Sequence, residues 1–198
     1  MNRFLPLLAL SLVLTGCSGL FPAPQTDPTR YYVLTGPVAA AAAPGELRVG
    51  IRRVELAAYL KSPDLIVRRG ANELVLQDFA RWGEPIDAGV SRLLHASLTA
   101  AGGVGRVYLQ PFPLDQERDC DVAVTILRCE GGTDRLAHFA ATIEITRPTD
   151  GKLLARRSFA APDAAWDGRD FGQLAALLSD DVAALGGEIA AALPAAAH

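Results

Sequence analysis

The sequence predicts one α+β domain, a mainly antiparallel sheet with two amphipathic helices packed on it. Two long segments carry apolar residues at helical spacing, and several short ones alternate apolar with polar residues. Glycine- and proline-rich breaks separate them, which sets two helices against a series of hairpin-connected strands. Roughly 150 residues after the N-terminal segments suffice for one buried core, so a single domain accounts for the chain. The formal net charge is −3, without the basic stripe that a phosphate backbone demands, and nucleic acid is excluded as a partner.

Residues 1–16 read as a lipoprotein signal peptide. Arg3 gives the positive start, residues 4–14 form the apolar run, and Leu14-Thr15-Gly16-Cys17 brings small residues to the bond before the cysteine. The apolar run is far below the ~20 residues that span a bilayer, and Pro6 interrupts it. Cys17 is expected to carry a thioether-linked diacylglycerol and an acylated amine, more than the two chains that stable attachment needs at ~0.8 kcal/mol per buried CH₂. Ser18, rather than aspartate, follows it, a pattern that favours the periplasmic face of the outer membrane. Residues 17–29, with Pro22, Pro24 and Pro28, form a flexible tether.

The body is expected over residues 30–193. Residues 31–34 and 46–54 are strand-like, the second with Leu47, Val49 and Ile51 on one face. The alanine-rich stretch 37–45 between them is a loop. Residues 65–69 and 73–77 flank Gly70-Ala71-Asn72 and predict a hairpin. A helix begins at Glu84, with Pro85 in its first turn, Ile86, Val90, Leu93, Leu94 and Leu98 on one stripe, and Gly102-Gly103 as its stop. Strands over 106–110, 121–128, 136–147 and 152–159 follow, with turns at Gly131-Gly132 and Asp150-Gly151. A last helix starts at Asp170, a cap with Gln173 three residues on, with Phe171, Leu174, Leu178, Val182, Leu185, Ile189 and Leu193 as its buried stripe, and residues 194–198 form a frayed tail.

Chemistry-bearing residues are sparse. Cys120 and Cys129 invite a disulfide in an exported protein. On one extended strand, however, nine residues at ~3.3 Å set them ~30 Å apart, far beyond the ~5.5–6 Å that a disulfide spans, and an odd offset points them to opposite faces. Two buried thiols are expected. His95 and His138 have no metal-ligand neighbour at a recognised spacing and are expected as solvated surface residues. Ser91 lacks the second glycine of a nucleophile elbow and sits mid-helix. Gly102-Gly103-Val104-Gly105 follows a helix instead of a strand, so it is a turn rather than a phosphate loop. Asp180-Asp181 is expected as a solvated helix face, and residues 163–170 as an acidic loop around Trp166. No catalytic centre, metal or cofactor beyond the covalent lipid on Cys17 is expected.

The order of elements carries a resemblance. Arg30-Tyr31-Tyr32-Val33-Leu34 opens the body. Residues 54–60 lead to Pro63 and a hydrophobic strand ending in arginine, and Trp82, Glu84 and Pro85 precede an amphipathic helix. Over residues 31–193 this resembles the auxiliary lipoproteins of membrane-integrity (paraquat-inducible type) ABC transporters. Gly83 and Ile86 depart from the alanine and leucine often found there. The resemblance implies a non-enzymatic, outer-membrane-anchored subunit that docks an MCE-domain protein and supports lipid traffic between membranes, with helices over a sheet. Within it, Tyr59, Leu60, Arg81, Trp82 and Glu84 form the candidate partner interface, because the preceding loop and the helix entrance join there and aromatic and arginine side chains are common anchors. The competing assignment is structural, with Trp82 plugging the core and Arg81 either snorkelling or paired with Glu84. A homo-oligomer is compatible with the alanine-rich surface. A scaffold or pilot lipoprotein of another outer-membrane complex would share anchor, tether and body. An enzyme of envelope polymers would need a clustered acid, base or nucleophile, whereas the carboxylates here are scattered.

Overall fold

The long strand β7 (Cys120–Gly132) organises the sheet. The structure, a computed structural model, describes residues 26–36 and 45–194. The signal peptide, Cys17, residues 18–25 of the tether, residues 37–44 of the predicted loop and residues 195–198 lie outside the described residues.

One edge of β7 pairs antiparallel with β8 (Leu136–Thr146), which pairs in turn with β9 (Leu153–Ala160) and the short β10 (Ala164–Ala165). This is the predicted meander. The other edge of β7 is handed along three strands, all parallel to it: β2 (Leu47–Ile51) at Cys120 to Val122, β3 (Glu55–Leu56) at Thr125 and Ile126, and β4 (Asp64–Arg69) at Gly131 and Gly132. From there the sheet forks. One wing continues from β2 to the parallel β6 (Val104–Leu109), the other from β4 to the antiparallel β5 (Glu73–Trp82) and the parallel β1 (Arg30–Tyr32). The sheet is therefore mixed, with antiparallel long ladders and short parallel pairings. Parallel neighbours need long crossovers, and no two parallel partners here are consecutive in the chain.

Helices α1 (Ile86–Thr99) and α2 (Phe171–Ala192) pack on each other, α1 against β6 and α2 against β7, β8, β9 and β1. The predicted stripes are the buried ones: Val90, Leu94 and Leu98 in α1, and Leu174, Leu178, Val182, Leu185 and Ile189 in α2. The two helices approach so closely that a Cβ on Gly186 would lie 2.6 Å from the Ser97 Cβ. Asp170 caps α2 as expected, its Oδ1 accepting from the Gly172 and Gln173 amides at 2.8 and 3.2 Å. The Gln173 side chain instead accepts from the Asp167 amide at 3.0 Å, which anchors the preceding loop.

The N-terminal strap ends in a plug. Leu34 is buried, its carbonyl accepts from Arg92 Nη2 of α1 at 2.8 Å, and the Thr35 amide donates to Ser179 Oγ of α2 at 3.0 Å.

Several expectations need correction. Gly131 and Gly132 end β7 instead of forming the turn, which follows with Arg135 at φ 64°. Gly131 is needed there because a Cβ would stand 2.7 Å from Trp166 Cζ2. Trp166 is thus buried against the strand and Phe171, and the acidic segment around it is partly strand, since Ala164 and Ala165 pair with β8. Cys120 and Cys129 are unbonded and buried, yet both point inward. A bulge at Leu127 resets the alternation, so that Ile126 opposes Ala141 and Cys129 opposes Phe139, all on the core face. Burial pushes both thiols up to about 12, with nearby carboxylates adding to the effect. His138 is not solvated: β10 folds against β8, and the ring nitrogens meet Asp163 Oδ1 and Asp134 Oδ2, each at 3.0 Å. Asp180 is exposed, but Asp181 falls on the inward stripe between Leu178 and Leu185 and is 8 % exposed.

Candidate functional site

A cleft of about 690 Å³ opens where the sheet forks. Residues 53–56 of the β2–β3 segment form one wall, the turn at residues 60–63 another, and residues 82–87, where β5 passes into α1, the third. Val54, Leu56, Leu60, Pro63, Trp82 and Ile86 supply apolar surface, while Arg53, Glu55, Lys61, Glu84 and Asp87 supply both signs of charge. An apolar floor within a charged rim suits a partner side chain.

The walls are fixed by backbone bonds. The Trp82 amide donates to the Pro63 carbonyl and the Gly83 amide to the Tyr32 carbonyl, both at 2.7 Å, tying β5 to the turn on one side and β1 on the other. The turn is a short 3₁₀ helix, Ala58–Lys61, whose Leu60 is buried. Ser62 Oγ donates to Asp64 Oδ2 at 2.9 Å and holds the entry to β4. Pro85 occupies the N-cap of α1, so no side chain caps that helix end, and Asp87 lies in its first turn, where a carboxylate complements the helix dipole.

Three of the five candidate interface residues meet in this cleft: Leu60, Trp82 and Glu84. Trp82 is only 6 % exposed and forms part of the floor. Its truncation is therefore a folding perturbation first. Arg81 points from the neighbouring face and pairs with Asp64 at 3.1 Å, not with Glu84. Glu84 instead pairs with Arg92, eight residues further on in α1, which also holds the Leu34 carbonyl.

Tyr59 belongs to a different cluster. Its hydroxyl donates to the Leu127 carbonyl at the bulge, 3.0 Å away, and its ring stacks under the Arg68 guanidinium, 5.5 Å from the centroid. Arg68 Nε lies 2.5 Å from Glu130 Oε1, and Arg128 Nε approaches the same oxygen at 3.2 Å. The Glu130 side chain is fully buried. Burial pushes its carboxyl up, but the bonds from Arg68 and Arg128, with the Tyr59 hydroxyl close by, outweigh that and hold it below the usual carboxylate range. Burial, then the neighbouring Glu130 carboxylate, raise the Tyr59 hydroxyl well above its ordinary value. This cluster is a structural tie between β4 and β7.

The rim residues Arg53, Glu55, Lys61 and Asp87 were not singled out from the sequence. They come together through the β7 edge, which no local pattern announces. Among the described residues, no three His, Cys, Asp or Glu side chains are grouped to hold a metal ion, and no helix is long and apolar enough to cross a membrane.

The family model of the ABC-type transport auxiliary lipoprotein component matches residues 32–190. The chain belongs to that family. The match runs from the end of β1 almost to the end of α2 and so takes in every wall of the cleft. Protein XCC0632 from Xanthomonas campestris shares the fold at a TM-score of 0.68 and 18 % identity, over 82 % of this chain and 93 % of that one. An uncharacterized protein of known structure does so at 0.67 and 17 %, over 82 % and 97 %. At such identities the likeness is one of fold. None of the curated proteins matches the sequence.

Proposed function

We propose that this auxiliary lipoprotein is a non-enzymatic subunit of an MCE-type ABC transport system, held by lipid on Cys17 to the periplasmic face of the outer membrane, and that it docks the MCE-domain protein in the fork cleft. The observation that carries the docking is the cleft itself, an apolar floor of Leu56, Leu60, Trp82 and Ile86 inside a rim of both charges. Such a surface accepts one anchoring apolar side chain and reads its charged neighbours, the usual division of labour in an interface. ATP hydrolysis and membrane passage would lie on separate polypeptides, and this chain would position the carrier of the lipid.

The test is recovery of partners from membranes solubilised in mild detergent, with full-length lipidated protein as bait and Cys17→Ala as the unanchored control. An MCE-domain protein together with a permease and an ATPase is expected in the wild-type sample. The double variant Glu55→Lys, Lys61→Glu inverts the rim without touching the core and should lose the MCE protein while melting as wild type. Recovery of an outer-membrane pore or barrel protein in its place would overturn the assignment, as would undiminished MCE recovery by the rim variant.

A further inference from the structure

The β1–β5 edge of the domain carries large apolar side chains in the open. Tyr31 is 64 %, Phe79 58 % and Leu76 48 % exposed. Tyr31 pairs with Arg81, two residues from Phe79 on the same strand, so the two aromatic side chains are diagonal neighbours within mutual reach. Leu76 follows three residues back along β5, on the order of 10 Å away, and the register irregularity between its pairing with Ile66 and that of Arg81 with Asp64 returns it to the face of Arg81 and Phe79. Beside them, Asp27, Arg30, Asp78 and Arg81 contribute two charges of each sign.

The chain leaves the domain from this edge. Because β1 runs parallel to β5, with Arg30 opposite Ala80 and Tyr32 opposite Trp82, residues 26–29 extend toward the Phe79 and Leu76 end. Nine residues carry it from there to Cys17, a reach of at most ~32 Å even when fully extended. The cleft lies at the opposite end of the same strands, beyond Trp82.

We propose that the β1–β5 edge rests on the surface of the membrane that holds Cys17, with Phe79 and Leu76 entering the acyl boundary and Tyr31 at headgroup level. The proposal rests on the assignment of Cys17 as the lipid anchor and deepens it by giving the domain an orientation. A tyrosine with an apolar body and a polar tip suits the headgroup layer, and phenylalanine and leucine suit the layer beneath. The balanced charge suits zwitterionic headgroups without requiring an anionic lipid. With this edge on the membrane, the fork cleft faces away from it, toward a partner arriving across the periplasm.

The full-length lipidated protein tests this in phosphatidylcholine vesicles doped with a nitroxide-labelled phosphatidylcholine. A fluorescent thiol label is placed by Asp78→Cys beside the patch, or by Lys61→Cys at the cleft; Cys120 and Cys129 are buried and do not compete. Quenching at position 78 is expected to exceed that at position 61 several-fold, and Leu76→Ser with Phe79→Ser should abolish the difference. Equal quenching at the two positions overturns the membrane contact, and a label at position 78 whose emission changes only with protein density assigns the patch to a second copy. A difference that survives the double serine variant also overturns it, because the tether alone would then set the orientation. Mass spectrometry of Cys17 separates these results from failure of the anchor: an unlipidated chain overturns both assignments, whereas a lipidated one with equal quenching overturns only the orientation.

Discussion

Replacing Asp181 by alanine should stabilise the protein, and by an amount that depends on pH. The carboxyl is buried on the inward stripe of α2, its Oδ2 has no hydrogen-bond partner, and it lies close enough to Cys129 to perturb that thiol. Burial, reinforced by the neighbouring Asp180, raises it from 3.8 to about 6. A carboxyl raised in the folded state is neutral toward folding while both states are protonated and opposes it once the unfolded chain ionises, so stability falls as the pH climbs from about 4 to about 6. At ~1.36 kcal/mol per unit, the shift corresponds to roughly 3 kcal/mol at pH 7.5, and linkage leaves about 1 kcal/mol of that at pH 4.5. Asp181→Ala removes the charge and adds the best helix former. The gain at pH 7.5 should raise the melting temperature by roughly 5–10 °C for a chain of this size, with a clearly smaller rise at pH 4.5. Calorimetry of wild type and variant at the two pH values measures it. A variant that melts lower at pH 7.5, or gains equally at both, refutes the argument.

The buried pair should behave oppositely. Arg68→Ala leaves Glu130 buried with only Arg128 and Tyr59 nearby, and should cost about 3 kcal/mol in denaturant unfolding at pH 7; an effect below ~1 kcal/mol would mean that water reaches the carboxylate. Because the Glu130 carboxyl is held low, its contribution should persist above the ordinary carboxylate range and fade only as the pH falls below it, which an acid titration of stability will show. Trp82→Ala should lose about 3–5 kcal/mol, so a reduction in partner recovery by that variant at an unchanged melting temperature would contradict its place in the floor. Gly186→Val forces a side chain into Ser97 and should cost roughly 1–3 kcal/mol or part the helices, read by near-UV circular dichroism. Cys120 and Cys129 should resist a maleimide in the native protein and react in denaturant; rapid native labelling would show that β7 opens.

Much of the fold was legible because its signals are local. The α1 and α2 stripes, the Asp170 cap and the β7–β8–β9 meander each lie within a continuous stretch of chain, where periodicity and turn residues report them. What escaped has a common cause. The parallel pairings of β2, β3 and β4 with β7 join segments distant in sequence, and the cleft exists only because of them. The Leu127 bulge adds one residue and so reverses the face of Cys129, an event that alternation cannot register in advance. His138 and Asp181 were misplaced for a related reason: β10 brings Asp163 back over β8, and a carboxylate on the apolar stripe breaks the rule that reads polar residues as solvated. Of the candidate residues, Tyr59 and Leu60 were grouped with Arg81, Trp82 and Glu84 because the loop and the helix entrance were expected to join; the cleft does bring Leu60, Trp82 and Glu84 together, whereas the bulge and Arg68 claim Tyr59 for the β4–β7 tie and Asp64 claims Arg81.

The plug at the end of β1 gives the domain a load path. Tension on the tether reaches the body along Arg30–Tyr32, whose ladder with β5 is loaded in shear, and then meets Leu34, set in the core like a rivet and clasped by one side chain from each helix. Arg92 is the clasp on the α1 side, and the same guanidinium grips Glu84 on the cleft rim. A displacement of β1 therefore reaches the mouth of the cleft by two routes, through Arg92 to Glu84 and through the β5 ladder to Trp82 and Gly83, so that strap and cleft rim form one mechanical linkage.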